Sequence, residues 1–92
     1  MPNLICLRAL ISGRVQGVGY RYHTVLKAQA LDLVGWVRNL EDGRVEVMVE
    51  GKRDSVDAMM QWCGQGPPAA HVEGIEIEEQ PAQHFEQFEI RR

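Results

Sequence analysis

"VGWVRNLEDGRVEVMVEG", residues 34–51, spells two β-arms around a turn. "VGWVRNL" and "RVEVMVEG" flank "EDG", so the chain reverses near Asp42-Gly43, an Asp-Gly pair of the kind tight hairpins favour. The second arm alternates, with Val45, Val47 and Val49 expected inward and Arg44, Glu46, Met48 and Glu50 outward. The hairpin decides the fold through what stands on either side of it.

Upstream, "LICLRALIS" (4–12) reads as a strand, with Ile5, Leu7, Ala9 and Ile11 on one face. "RYHTVLKAQALDL" (21–33) reads as a helix, favoured by its Ala, Leu, Lys and Gln content. It carries two apolar stripes: Tyr20, Thr24, Ala28 and Leu31, and opposite them Tyr22, Leu26, Ala30 and Leu33. One faces the core and the other is a weak contact face; the pattern does not choose between them.

Downstream, a second helix is expected to start near Asp54 or Ser55, either of which can cap it. Val56, Met59, Met60 and Cys63 form its core stripe, and "GQGPP" (64–68) ends it. "HVEGIEIEE" and "HFEQFEIRR" read as two further strands joined near Pro81. The order β-α-β-β-α-β, with an extra C-terminal strand, predicts an α+β protein. The expected architecture is a ferredoxin-like split βαβ sandwich, one mostly antiparallel sheet with two helices on one face. That fold hosts many unrelated functions, so the site must carry the argument.

The 92 residues are expected to form one domain, 1–92, with a core that needs no staples. Hydrophobic residues make up 45% and charged residues 25%, and mean hydropathy is −0.27. No apolar run approaches the ~20 residues of a membrane span, and "MPNLICLRAL" lacks a signal peptide's layout. A soluble, cytoplasmic protein is expected. Cys6 and Cys63 lie in different elements without metal-ligand spacing, so free buried thiols are expected. His23, His71 and His84 are scattered, and no structural metal is expected. A net charge of −3 with pI about 5.5 argues against a nucleic-acid surface. Any anion site must be local, with Arg14, Arg21 and Arg38 as candidate charges.

"GRVQGVGYR" (13–21), between the first strand and the first helix, is where such a site would lie. It matches neither common phosphate-loop spelling. Val18 stands where a Walker loop needs its second glycine, and Tyr22 where a dinucleotide loop needs its third. The topology nevertheless makes the loop informative. A right-handed crossover makes strand 2 parallel to strand 1, so the end of "VRNL" returns to the loop's edge of the sheet. With strand 3 between them the two strands lie roughly 9–10 Å apart, within reach of Arg21 and Asn39, 18 positions apart in sequence. Gly17 and Gly19 permit positive φ and an exposed nest of N–H groups, and the helix N-terminus adds its dipole. Arg21 adds a full charge in a fork suited to phosphate. The alternative is a tight strand–helix turn carrying an exposed arginine.

"ISGRVQGVGYR" followed by "GWVRNLEDGRVEVMVEG" resembles the two signature segments of the acylphosphatase family, and the element order agrees along nearly the whole chain. The second segment fits at Gly35, the aromatic Trp36, Asn39, Gly43, Val45 and Gly51. The first departs at Tyr20, where phenylalanine or methionine is usual, placing a phenol near the loop; Leu40 replaces the threonine frequent after the asparagine. The resemblance implies hydrolysis of the carboxyl–phosphate bond of small acyl phosphates, releasing inorganic phosphate, with no metal and no cofactor. It implies Arg21 as the catalytic, phosphate-binding arginine and Asn39 as the residue that orients the attacking water. The main-chain amides of Gln16, Gly17, Val18, Gly19 and Tyr20 would form the phosphate cradle. No nucleic-acid or membrane partner is expected. A monomer is expected, with the second helical stripe as a dimer face the alternative.

A non-catalytic module that holds an anion is the competing reading, and Asn39 separates the two. An amide suits water alignment, whereas a binder gains more from a second cation there. RNA binding is weakly supported, since no aromatic-rich strand motif is present. His23 points about 200° around the helix from Arg21 and reads as a packing or solvent histidine. Thr24 reads as a backbone partner, Trp36 and Trp62 as packing residues, and "EGIEIEE" as a strand's polar face.

Overall fold

A computed structural model describes residues 4–92. Its elements are β1 (Leu4–Arg14), α1 (Tyr20–Ala30), β2 (Val34–Asn39), β3 (Val45–Lys52), α2 (Arg53–Gln65), β4 (His71–Gln80) and β5 (Phe88–Ile90). The five strands form one sheet in the order β4-β1-β3-β2-β5. β1 and β2 each run antiparallel to the intervening β3, so they are parallel to each other. β5 adds to the far edge of β2 in parallel register, Val37 opposite Ile90. This is the split βαβ sandwich with its extra C-terminal strand.

The valines of β3 set the core. Val45, Val47 and Val49 are fully buried and pack in one core with Ile5, Ala9 and Ile11 of β1, under Tyr20 and Ala28 of α1 and Val56, Met59, Met60 and Cys63 of α2. The Tyr20, Thr24 and Ala28 stripe faces inward; Tyr22 and Leu26 stay 60% and 45% exposed. α1 is shorter than its sequence pattern, because Asp32 takes a left-handed φ of 62°. That exit turns Leu33 away from the outer stripe and buries it in the core.

Three further expectations change. α2 starts at Arg53 and neither Asp54 nor Ser55 caps it; extended Lys52 precedes it with no side-chain cap. β3 runs into α2 without a loop, which puts Asp54 in the first turn, where its charge meets the positive end of the helix. Glu46, Met48 and Glu50 face away from the helices as expected, yet they are buried too. Arg8 and Arg38 cover Glu46, and residues 81–87 cover Met48 and Glu50. Instead of extending a strand from His84, this segment lies against the second face of the sheet. The N–H groups of Gln83 and Phe85 donate to the Glu50 carboxylate at 2.6 and 3.1 Å, and Phe85 packs on Cys6, Trp36 and Met48. Cys6 and Cys63 are both free and buried, in clusters on opposite faces.

Candidate functional site

The connection from β1 to α1 is anchored at one end by Val15, buried in the core, and at the other by Tyr20. Between them Gly17 and Gly19 take φ values of 74° and 78°, which residues with a Cβ adopt only under strain. Gly19 is the N-cap of α1. The first helical hydrogen bond runs from His23 N–H to Gly19 O at 3.1 Å. The N–H groups of Tyr20, Arg21 and Tyr22 therefore have no intrahelical acceptor, and a helix end of this kind attracts anions.

The surrounding side chains hold the turn. Tyr20 donates its phenol to Cys63 O at 2.6 Å, and Thr24 Oγ1 donates to Tyr20 O at 2.7 Å. The phenol is thus turned away from the loop into the core, correcting the expectation from its sequence position. Burial pushes its pKa well above the ordinary tyrosine range. Burial likewise pushes the Cys63 thiol up to about 12, so it stays un-ionised. His23 Nδ1 donates to Gly19 O at 2.9 Å, which ties that ring nitrogen to the backbone.

Asn39 closes β2, and the register carries it to the loop's edge of the sheet, opposite Val45. Its Oδ1 is buried and accepts no hydrogen bond from the described residues. Arg21 and Asn39 line one open cavity of about 210 Å³ with Val15, Gly17, Gly19, Tyr20, Tyr22 and Ile90. That is smaller than the 300–1,000 Å³ typical of larger ligands and suits a small one.

Of the loop residues expected to cradle phosphate, Gly17, Gly19, Tyr20 and Arg21 line the cavity, while Gln16 and Val18 do not. Val18 packs on the core. The Gln16 side chain spans to the β2–β3 turn, where Nε2 donates to Leu40 O at 2.8 Å and Arg44 O at 2.9 Å. Of the other candidate cations, Arg38 pairs with Glu46 at 2.6 Å and stacks over Trp36 at 5.2 Å, while Arg14 stays outside the cavity. Arg21 is the one charged side chain among the described residues lining it. Sequence reasoning missed Ile90, which reaches the cavity only because β5 pairs with β2, and the span of Gln16, which no local pattern marks.

The fold and this cavity define an α+β sandwich with a small pocket whose described lining carries one arginine. Comparison with known proteins is specific. The acylphosphatase family model matches residues 7–90. An acylphosphatase of Acaryochloris marina is 61% identical over 92 residues, covering 100% of this chain and 99% of that one. Among solved structures, an acylphosphatase from Coxiella burnetii superposes with a TM-score of 0.93 at 39% identity, over 97% of this chain and 94% of that chain. The acylphosphatase of Bacillus subtilis superposes at 0.91 with 34% identity, over 96% and 99%. The chain belongs to the acylphosphatase family, enzymes that hydrolyse acyl phosphates.

Proposed function

We propose that the 92 residues act as a single catalytic domain in which Arg21 and the loop amides hold the phosphoryl group while Asn39 aligns the water that attacks it. One observation carries this reading: Arg21 and Asn39, from different elements, line the same small cavity with Gly17 and Gly19. An acyl phosphate already has a good leaving group, a carboxylate, so the reaction needs no strong general acid. Its loose transition state is helped by positioning and by charge stabilisation. Arg21 and the N–H groups at the start of α1 supply the second. Asn39 Oδ1, which accepts nothing from the described residues, can accept a hydrogen bond from the attacking water and fix its direction. The water oxygen bonds to phosphorus as the bond to the carboxylate oxygen breaks. A neutral amide is a poor base, so the water's proton passes to a phosphate oxygen.

No metal is invoked in this scheme. The enzyme is proposed to work as a monomer. The proposed compartment is the cytoplasm, which suits two unpaired thiols. No helix of the described residues is long and apolar enough to cross a membrane.

The test follows benzoyl phosphate by ultraviolet absorbance in EDTA for wild type, Arg21→Ala and Asn39→Ala. The arginine variant should lose about 10³-fold or more. The asparagine variant should lose roughly 10²–10³-fold in turnover. If all three match the uncatalysed rate while wild type still binds inorganic phosphate, the chain holds anions and does not hydrolyse acyl phosphates.

A further inference from the structure

The cavity has an apolar side that the hydrolytic scheme leaves unused. Tyr22 and Ile90 both line it, and both are large apolar residues left 60% and 45% exposed. They come from different elements and are held by different means. The Tyr22 ring lies edge-on to His23, with centroids 5.5 Å apart, and His23 is itself tied to Gly19 O. Ile90 is fixed by its register against Val37, two residues before Asn39. Two exposed apolar side chains therefore stand beside the proposed phosphate cradle, supported by the elements that build it.

We infer that Tyr22 and Ile90 form the wall against which the acyl group of the substrate lies, and that they select acyl phosphates whose acyl part is apolar, aryl or alkyl. This rests on the hydrolase reading above and names its substrate class. Charge supports the choice. Arg21 is the one charged side chain among the described residues lining the cavity, and the phosphoryl group engages it. A second carboxylate or phosphate on the acyl part would find no further cation in the described lining and would leave the apolar faces of Tyr22 and Ile90 in water. An aryl or alkyl group would instead cover the exposed faces of Tyr22 and Ile90 and remove them from water. The acyl carbon chain must leave the cavity, since about 210 Å³ leaves little room beyond the phosphoryl group and the water. Tyr22 and Ile90, which line the cavity and remain exposed, border its open side.

The experiment compares kcat/KM for benzoyl, acetyl and succinyl phosphates in wild type, Tyr22→Ser, Ile90→Ser and Ile90→Lys. Each substitution lies at an exposed side chain, and circular dichroism verifies folding. The benzoyl-to-acetyl ratio should fall about fivefold to tenfold in each serine variant, the lower end of what apolar pockets achieve for small changes in apolar contact. Ile90→Lys should raise the succinyl-to-acetyl ratio by about tenfold, because the new ammonium meets the free carboxylate. Ratios within twofold of wild type in all three variants, with acetyl phosphate still hydrolysed, would overturn the wall and leave the hydrolase reading intact. If wild type hydrolyses none of the three substrates, the hydrolase reading fails and the wall with it.

Discussion

Gln16 Nε2 donates to Leu40 O at 2.8 Å, so the glycine loop is strapped to the residue that follows Asn39. The same nitrogen reaches Arg44 O at 2.9 Å and thus uses both of its protons on the β2–β3 turn. Neither carbonyl depends on Gln16 alone: Leu40 O also accepts from Gly43 N–H, and Arg44 O from Leu40 N–H. Removing the amide therefore orphans no backbone group, and its main consequence is geometric. Gln16 ties together the two segments that carry Arg21 and Asn39.

Gln16→Ala should cost only about 1 kcal/mol of stability in urea. Its kcat/KM should fall by roughly 10–100-fold, because small displacements of positioned groups cost that much. Gln16→Glu, with no proton to donate at neutral pH, should fall at least as far. Activity within twofold of wild type in both variants would reduce Gln16 to a structural strap.

At Asn39 the two polar atoms of the amide separate two effects. Asn39→Asp keeps the shape but places a carboxylate where Oδ1 is buried without a partner among the described residues. It should repel the phosphoryl group as well as slow the reaction, raising the inhibition constant for inorganic phosphate about tenfold or more. Asn39→Ala should leave that constant within about threefold while kcat drops roughly 10²–10³-fold. Equal effects of both variants on phosphate inhibition would contradict a water-aligning role.

How much of this was legible in the chain depended on whether local pattern or distant contact decided the outcome. The inward valines of β3 and the stripe of α2 follow from alternation and helical spacing, and both hold. α1 offered two stripes of equal spacing, and only the placement of the sheet chooses Tyr20, Thr24 and Ala28. The burial of Glu46 and Glu50 had no local signal. Charged residues at alternate positions read as a solvated face, and what covers them is Arg8, Arg38 and a segment more than 30 residues later in the chain. The glycine loop marked Arg21, while Asn39 was marked by the crossover that returns β2 to the loop's edge and by the family resemblance. The span of Gln16 and the position of Ile90 are products of tertiary pairing.

Tyr20→Phe tests the tie between the loop and α2. The phenol donates to a carbonyl in the last turn of that helix, where no further helical N–H is available. Loss of this buried bond should cost about 1–2 kcal/mol in urea unfolding at pH 8, while the packing against Trp62 at 5.6 Å is kept. Burial raises the phenol's pKa in the folded state, so its contribution is complete below the unfolded value of about 10 and declines as pH rises above it. The gap between wild type and variant should therefore shrink between pH 8 and pH 11. Equal stability at pH 8 would mean that the hydrogen bond contributes nothing net.

Glu46 gives the opposite pH dependence. Burial alone would raise its carboxyl pKa, but hydrogen bonds and charge from Arg8 and Arg38 more than offset this and hold it below the ordinary carboxylate range. The carboxylate is only 3% exposed, while Arg8 and Arg38 are 32% and 43% exposed and partly screened by water. The cost of Glu46→Gln should thus stay below the ~3–5 kcal/mol of breaking a fully buried pair, at about 1–2 kcal/mol at pH 7. A depressed pKa stabilises the fold above the unfolded value of about 4.3, and that stabilisation is lost as pH falls towards and through the folded value. Urea unfolding of the two proteins at pH 7 and pH 3 should show the gap closing at the lower pH. A gap of the same size at both would assign the loss to packing rather than to the ion pairs.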